Sequence, residues 1–156
     1  MRVIALVIVI LITYLSNTPH LSVLDVNTWF NSGKYENIRF SDIVSKNTLF
    51  LDPWEKTYDL DFYLHKLGHF SFYGFLAIFL FWRSSSYRKA LLKLLLIVGF
   101  AFTDEVHQYF VVGRSGRLMD VLFDLFSVSI FLLILSISGN LKTQKNKIEN
   151  NKKTEV

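Results

Sequence analysis

The chain has 156 residues, a length typical of one domain, and 51% of them are hydrophobic and 16% aromatic, which is high for a soluble protein of this size. The net charge of +4 is modest, and the basic residues form no stripe interleaved with aromatics, which argues against nucleic-acid binding. Cysteine is absent, so disulfides and thiolate metal sites are excluded. The apolar residues occur in blocks, and this blocking predicts an all-α, membrane-embedded bundle of four transmembrane helices within a single domain, 1–156.

The first apolar block predicts a short transmembrane helix over about residues 3–17. Its length also suits a signal peptide, but no Ala-x-Ala cleavage pattern follows it, so a retained helix is favoured. The polar segment 16–64, with seven acidic and four basic residues, is too polar to span and is predicted to be an external loop. Within it, Trp29, Phe30 and Trp54 are expected to rest at the membrane surface.

Three further apolar blocks predict transmembrane helices at 62–82, 90–112 and 118–137, with two glycines making the tight turn at 113–116. The Lys- and Asn-rich tail, 140–156, shows no apolar periodicity and is predicted to be disordered. Basic residues in the connector 83–89 and in the tail predict that both chain termini are cytoplasmic in a multi-pass cell-membrane protein. The turn then lies outside, and its Arg114 and Arg117 run against the positive-inside bias, which suggests that they have a function.

A dense group of ionisable residues interrupts the predicted spans. On a helix, Lys66, His69 and Tyr73 share one face within about 60°. Counted from the outer ends, Tyr73, Glu105 and Asp124 lie at matching depths of roughly 9–11 Å. Charges in hydrocarbon are costly, so these residues are expected to converge in a polar cluster that opens outward. Asp104 and His107, assigned to the opposite face of their helix from Glu105, are expected to make structural contacts.

Three other interpretations apply to this cluster: helix pairing, metal binding and a proton or ion pathway. The residues could hold the helices together through pairs such as Glu105 with Arg117 or Lys66, and Asp120 with Arg114. His69, Glu105 and Asp120 could bind a metal, but no local ligand spacing supports this, and no metal site is predicted. A proton or ion pathway is disfavoured because the inner halves of the spans are apolar.

Four sequence blocks contain most of these polar residues: Lys66-Leu-Gly-His69-Phe-Ser-Phe-Tyr73, Asp104-Glu105-Val-His-Gln108, Gly113-Arg114-Ser-Gly-Arg117 and Asp120-Val-Leu-Phe-Asp124. In their order and spacing, over roughly residues 62–138, these blocks resemble the VanZ-like family of small bacterial membrane proteins. The resemblance implies an envelope-related role, because the family is named for a member that lowers susceptibility to the glycopeptide teicoplanin. Many relatives have Asn and Gly soon after the last Asp, where this chain has Asp124 and then Phe126-Ser127-Val128.

The favoured function is binding of a cell-envelope ligand, such as an isoprenoid or phospholipid head group or a cell-wall precursor, in an outward-facing pocket. The expected ligand-binding residues are Lys66, Tyr73, Gln108, Arg114, Arg117 and Asp124. The alternative is a membrane-embedded hydrolase or transferase that uses Glu105 with His69 or Asp120 as acid and base. No cofactor is expected, and neither the ligand nor the oligomeric state follows from the sequence.

Overall fold

The computed structural model describes residues 2–44, 50–51, 59–82 and 87–154, the last of these as backbone alone beyond Gly139. Over this part of the chain the fold is all-helical, as predicted, with α1 at Arg2–Ser16, α2 at Leu60–Phe81, α3 at Tyr87–Phe110 and α4 at Leu118–Thr154. Two short 3-10 helices, Val26–Phe30 and Phe40–Val44, lie between α1 and α2. The four predicted apolar blocks therefore each form a helix.

Two of the four helices are long and apolar enough to cross a membrane. These are Leu60–Phe81, with a mean hydropathy of 1.2, and Leu118–Gly139, with a mean hydropathy of 2.4. Helix α1 is apolar but shorter, and the polar residues of 103–108 interrupt the apolar sequence of α3. Membrane-compatible helices are thus confirmed, whereas a bundle of four spans remains a prediction.

Helix α4 corrects the prediction of a disordered tail. It continues without a break through Gly139 and Asn140 to Thr154. Lys, Gln and Glu are good helix formers, and extending an existing helix avoids the costly nucleation step. Lack of an apolar face therefore did not prevent helix formation here, because the first part of α4 already forms a helix that packs against α2.

The helices pack around α2, which contacts each of the other three. Gly74 of α2 lies so close to the ring of Phe131 of α4 that an added Cβ would collide with it. In the same interface the Ser127 hydroxyl donates a hydrogen bond to the carbonyl oxygen of Phe70. The buried apolar core includes Ala5, Ile8, Ile12, Leu76, Ala77, Ile97, Ala101, Val121 and Val128. Since three α1 residues are in this core, α1 is an integral part of the fold.

The segment between α1 and α2 lies over one end of the helices, where α3 ends and α4 begins. Backbone hydrogen bonds tie it to the α3–α4 turn, from Glu36 N to the Phe110 oxygen at 2.8 Å and from Val112 N to the Lys34 oxygen at 3.0 Å. The carboxylate of Asp61 on α2 accepts from the Ser22 hydroxyl and from the amides of Val23 and Leu24. The predicted loop is thus an ordered cover over this end, at least in its described residues.

The aromatic residues of this cover differ in exposure. Phe30 is 77% exposed and Trp29 is 36% exposed, as a surface position requires. Trp54 lies outside the described residues. Contact of Trp29 and Phe30 with a membrane surface stays a prediction.

Candidate functional site

The structure brings the nine sequence-predicted site residues to the covered end of the helices. Helix α2 contributes Lys66, His69 and Tyr73, α3 contributes Glu105 and Gln108, and α4 contributes Asp120 and Asp124. Arg114 and Arg117 come from the turn between α3 and α4. Six of the nine are fully or almost fully buried: Tyr73, Glu105, Gln108, Arg117, Asp120 and Asp124. Their roles in binding or catalysis remain predictions.

The turn is held against α3 by two special positions. Gly113 has a φ of +71°, in the left-handed region that favours glycine. A Cβ on Gly116 would collide with the backbone carbonyl oxygen of Glu105, so only glycine allows the turn to approach so closely. The Arg117 amide then donates to Glu105 Oε2 at 3.0 Å. Both glycines therefore fix where the two arginines project.

His69 pairs with Asp124 and not with Asp120. Its Nδ1 lies 3.1 Å from Asp124 Oδ1 and 3.7 Å from Glu105 Oε1. The carboxylate acceptor favours the tautomer with the proton on Nδ1, which leaves Nε2 of a neutral ring as a base. Asp124, the last carboxylate of the site in chain order, is thus in direct contact with the histidine.

Lys66 and Asp120 form the other ion pair of the site. The Lys66 ammonium donates to Asp120 Oδ1, and both side chains are largely buried. The pairing of Asp120 with Arg114, which belonged to the helix-pairing interpretation, is not found among the described residues, because the Lys66 ammonium reaches Asp120 instead. Glu105 accepts its hydrogen bond from Arg117 through the backbone amide, whereas the helix-pairing interpretation had used the arginine side chain.

Asp104 belongs to the cluster, contrary to the sequence prediction. It is 5% exposed and accepts hydrogen bonds from the Tyr73 hydroxyl at 3.3 Å and from Gln108 Nε2 at 3.1 Å. Adjacent helical residues lie about 100° apart, and Asp104 is one turn before Gln108, so the assignment to the opposite face was wrong. The i, i+4 spacing of Asp104 and Gln108 was the signal that could have revealed it.

His107 does make the structural contacts that were expected of it. Its Nε2 lies 3.2 Å from Asn17 Oδ1, and its ring packs edge-on against Tyr35 with centroids 5.8 Å apart. Another histidine, His65, was missed by the sequence analysis although it lies one turn before His69. It contacts the Arg114 guanidinium at 3.3 Å.

Arg114 has an unusual environment for a cation. One of its terminal nitrogens donates to Gln108 Oε1 at 2.7 Å and approaches His65, but no carboxylate lies within ion-pair distance among the described residues. Its Nε is buried and has no hydrogen-bond partner in the described part of the chain. Burial lowers the pKa of Arg114 below its usual range, although Glu105, Asp104, Asp120 and Asp61 oppose that shift. A buried N–H group without an acceptor is costly, so this guanidinium is suited to an added anion.

A polar cavity of about 220 Å³ opens beside Arg114. Its lining contains an amide, three cations and three carboxylates: Gln108, Lys66, Arg114, Arg117, Asp59, Asp61 and Asp120. A ligand there would meet guanidinium and ammonium groups as well as hydrogen-bond acceptors. The mixed charges suit an anionic group that also carries donors such as hydroxyls.

The ligand atoms of His69, Glu105 and Asp124 all lie within 4.8 Å of one another, a spacing that a divalent cation could bridge. The sequence analysis named Asp120 in this set, but Asp120 is paired with Lys66. The contact of His69 with Asp124 already satisfies both groups without a metal.

The fold and site define a class of protein: an all-helical membrane protein with a buried group of ionisable residues under a cover at one end. The chain belongs to the VanZ/LLP1 family, whose sequence model matches residues 2–139. This match extends the resemblance, which had been limited to residues 62–138, over α1 and the cover. No curated protein and no solved structure gives a significant match.

Proposed function

We propose that this protein binds an anionic cell-envelope ligand in its polar cavity. The proposed topology has four spans with both termini cytoplasmic, so that the cavity faces outward. The ligand class is an isoprenoid or phospholipid head group or a cell-wall precursor. Binding such a molecule would affect glycopeptide susceptibility, including susceptibility to teicoplanin, by masking or redistributing the lipid-linked target.

The observation that carries this proposal is the buried, unpartnered Nε of Arg114 at the edge of the cavity. A guanidinium presents its N–H groups as a planar fork that matches phosphate and carboxylate oxygens. An anion in the cavity would bond to the Arg114 guanidinium and offset the desolvation of the cation. Lys66 and Arg117 line the same cavity and would add positive potential around the bound group.

The first test is the thermal stability of the purified protein in detergent with added lipid. We expect phosphatidylglycerol to raise the melting temperature more than phosphatidylcholine does, because only the former carries a net negative charge. At a hundredfold excess over Kd, stabilisation of about 2.7 kcal/mol corresponds to a rise of roughly 5–10 °C. Equal shifts with both lipids, or none across a panel of anionic envelope lipids, would contradict the proposal.

A second candidate function is hydrolysis or group transfer on the same ligand. It is favoured by the orientation of His69, whose Nδ1 contacts Asp124 while the ring lines a cavity. A histidine held by a carboxylate in this way can accept a proton at Nε2, and Glu105 lies beside it. In this alternative Asp124 positions the histidine, whereas Asp120, the other acid-base candidate, is paired with Lys66.

The Glu105→Gln variant separates the two functions, because it keeps the hydrogen-bonding shape but removes the charge. Catalysis predicts that wild type converts an envelope lipid and that Glu105→Gln loses most of this turnover while its lipid-dependent thermal shift remains. A binding role predicts no product from wild type. Mass spectrometry of the lipids recovered after incubation gives the readout, with His69→Gln as a second variant at the proposed base.

A further inference from the structure

A second cavity, of about 320 Å³, lies between α1 and α2 and is lined mainly by apolar side chains. Leu11 and Leu15 form its α1 wall, and Leu64 and Phe72 form its α2 wall. Leu11 is 43% exposed, so this cavity opens sideways along the apolar surface of the helices. On a membrane-embedded protein such an opening faces lipid chains and not water.

The apolar and polar cavities are adjacent and share part of their lining. Leu21, His65 and Arg114 line both of them, so the guanidinium with the unpartnered Nε stands at their junction. A molecule that occupied both cavities would place an apolar part between α1 and α2 and an anionic part at Arg114. This arrangement has the polarity of a membrane lipid.

We propose that the ligand is an anionic membrane lipid, with one hydrocarbon chain in the apolar cavity and its anionic group at Arg114. This inference rests on the proposed function and names the ligand class for the same site. The chain would remain in apolar surroundings while the head group leaves the membrane surface, so binding would require no transfer of hydrocarbon into water. A free, water-soluble anion would use the polar cavity alone and leave the apolar one unused.

The cover strengthens the case for sideways entry. Its residues Leu21, Val23 and Trp29 line the apolar cavity from the covered end. Tyr14 of α1 donates to the Trp29 carbonyl oxygen at 2.9 Å, and the Trp29 indole donates to the Ser22 oxygen at 2.9 Å. These bonds hold the cover against the end of α1. The gap between α1 and α2 is therefore the direct route for a chain.

Gly68 offers a way to block the apolar cavity without disturbing the fold. It lines the cavity, and a Cβ at this position would meet no atom within 4 Å. Leucine at position 68 would project into the cavity, and it favours a helix more than glycine does. Gly99 on α3 also has open space around its Cβ but does not line either cavity, which makes Gly99→Leu a matched control.

The experiment uses full-length protein reconstituted in phosphatidylcholine nanodiscs with a phosphatidylglycerol probe that carries a diazirine in its acyl chain. We expect cross-links concentrated on Leu11, Leu64 and Phe72, and at least about tenfold fewer of them in Gly68→Leu than in Gly99→Leu. A phosphatidylcholine probe is expected to label these residues only weakly. Cross-links spread evenly over exposed residues such as Leu95 and Leu96, unaffected by Gly68→Leu, would overturn the inference.

Glycerol phosphate distinguishes failure of this inference from failure of the proposed function. If it binds wild type but not Arg114→Gln in detergent, and the chain probe does not label the cavity, the anion site stands and the lipid chain does not use the apolar cavity. If the Arg114→Gln substitution changes the binding of neither glycerol phosphate nor phosphatidylglycerol, the proposed function itself fails. Melting curves of Gly68→Leu and Gly99→Leu show that both variants are folded.

Discussion

The Arg114→Gln variant is expected to lose the stabilisation by phosphatidylglycerol while its melting temperature without lipid stays equal to that of wild type or rises. The substitution removes the hydrogen bond that Arg114 donates to Gln108, which is worth about 1.5–3 kcal/mol for a charged donor. Against this, the variant no longer buries a cation, and desolvation of an ion costs several kcal/mol. The lowered pKa of Arg114 indicates that its surroundings, on balance, oppose the charge.

Arg88→Gln is the matched control, since Arg88 is exposed at the opposite end of α3. It removes the same charge and should leave the lipid-dependent shift intact. A large fall in the stability of Arg114→Gln would indicate a structural role for this arginine. An unchanged lipid shift would show that the anion binds elsewhere.

The same pair of variants can be tested in cells for the proposed link to glycopeptides. In a sensitive Gram-positive host we expect wild type and Arg88→Gln to raise teicoplanin tolerance and Arg114→Gln to fail, at equal membrane levels by immunoblot. If cells expressing wild type, Arg88→Gln or Arg114→Gln are all as sensitive as cells with the empty vector, the protein has no role in glycopeptide tolerance. The binding proposal would then depend on the biochemical tests alone.

Lys66→Met is expected to cause the largest loss of stability of any single substitution at the site. Its ammonium is paired with Asp120, which is 5% exposed, and loss of one partner leaves a carboxylate in a poorly solvated place. Breaking a buried ion pair in this way costs about 3–5 kcal/mol, or roughly 6–20 °C in melting temperature. The double variant Lys66→Met with Asp120→Leu should regain most of this loss, because apolar replacement of both partners is often neutral.

Lys93→Met provides the comparison at the other end of the molecule. Lys93 donates to the Leu80 carbonyl oxygen at 2.6 Å and has no carboxylate partner among the described ion pairs, so its removal leaves no buried charge. The melting temperature of Lys93→Met should therefore fall much less than that of Lys66→Met. If the double variant were no more stable than Lys66→Met, loss of packing and not loss of the charge would explain the result.

The sequence predicted the positions of the helices because apolar blocks long enough for a helix are separated by polar or glycine-containing segments. Their bounds moved by only a few residues, as at the start of α2, where the Asp59 side chain accepts from the Phe62 amide and begins the helix before residue 62. The tail was different. A polar composition indicates that no core forms, but it does not prevent continuation of a helix that has already begun.

The site was predictable as a set of residues but not as a set of pairs. Depth along each helix follows from residue number alone, which is why Tyr73, Glu105 and Asp124 were expected at one level. Which carboxylate faces His69 depends on how α4 is rotated against α2, and that rotation follows from packing such as Gly74 against Phe131. The cover could not be predicted either, because its hydrogen bonds join irregular backbone to the α3–α4 turn.

The unbroken course of α4 also determines how far its lysines lie from the membrane. From Gly139 to Thr154 the helix adds roughly 22 Å at 1.5 Å per residue, whereas electrostatic attraction to anionic lipid is screened over about 8 Å at physiological ionic strength. If this part continues along the direction of the span, position 142 lies within that screening length and positions 152 and 153 lie well beyond it. The distal basic residues would then contribute little to lipid attraction, and the proposed orientation would depend mainly on the basic residues in the first turns after Gly139.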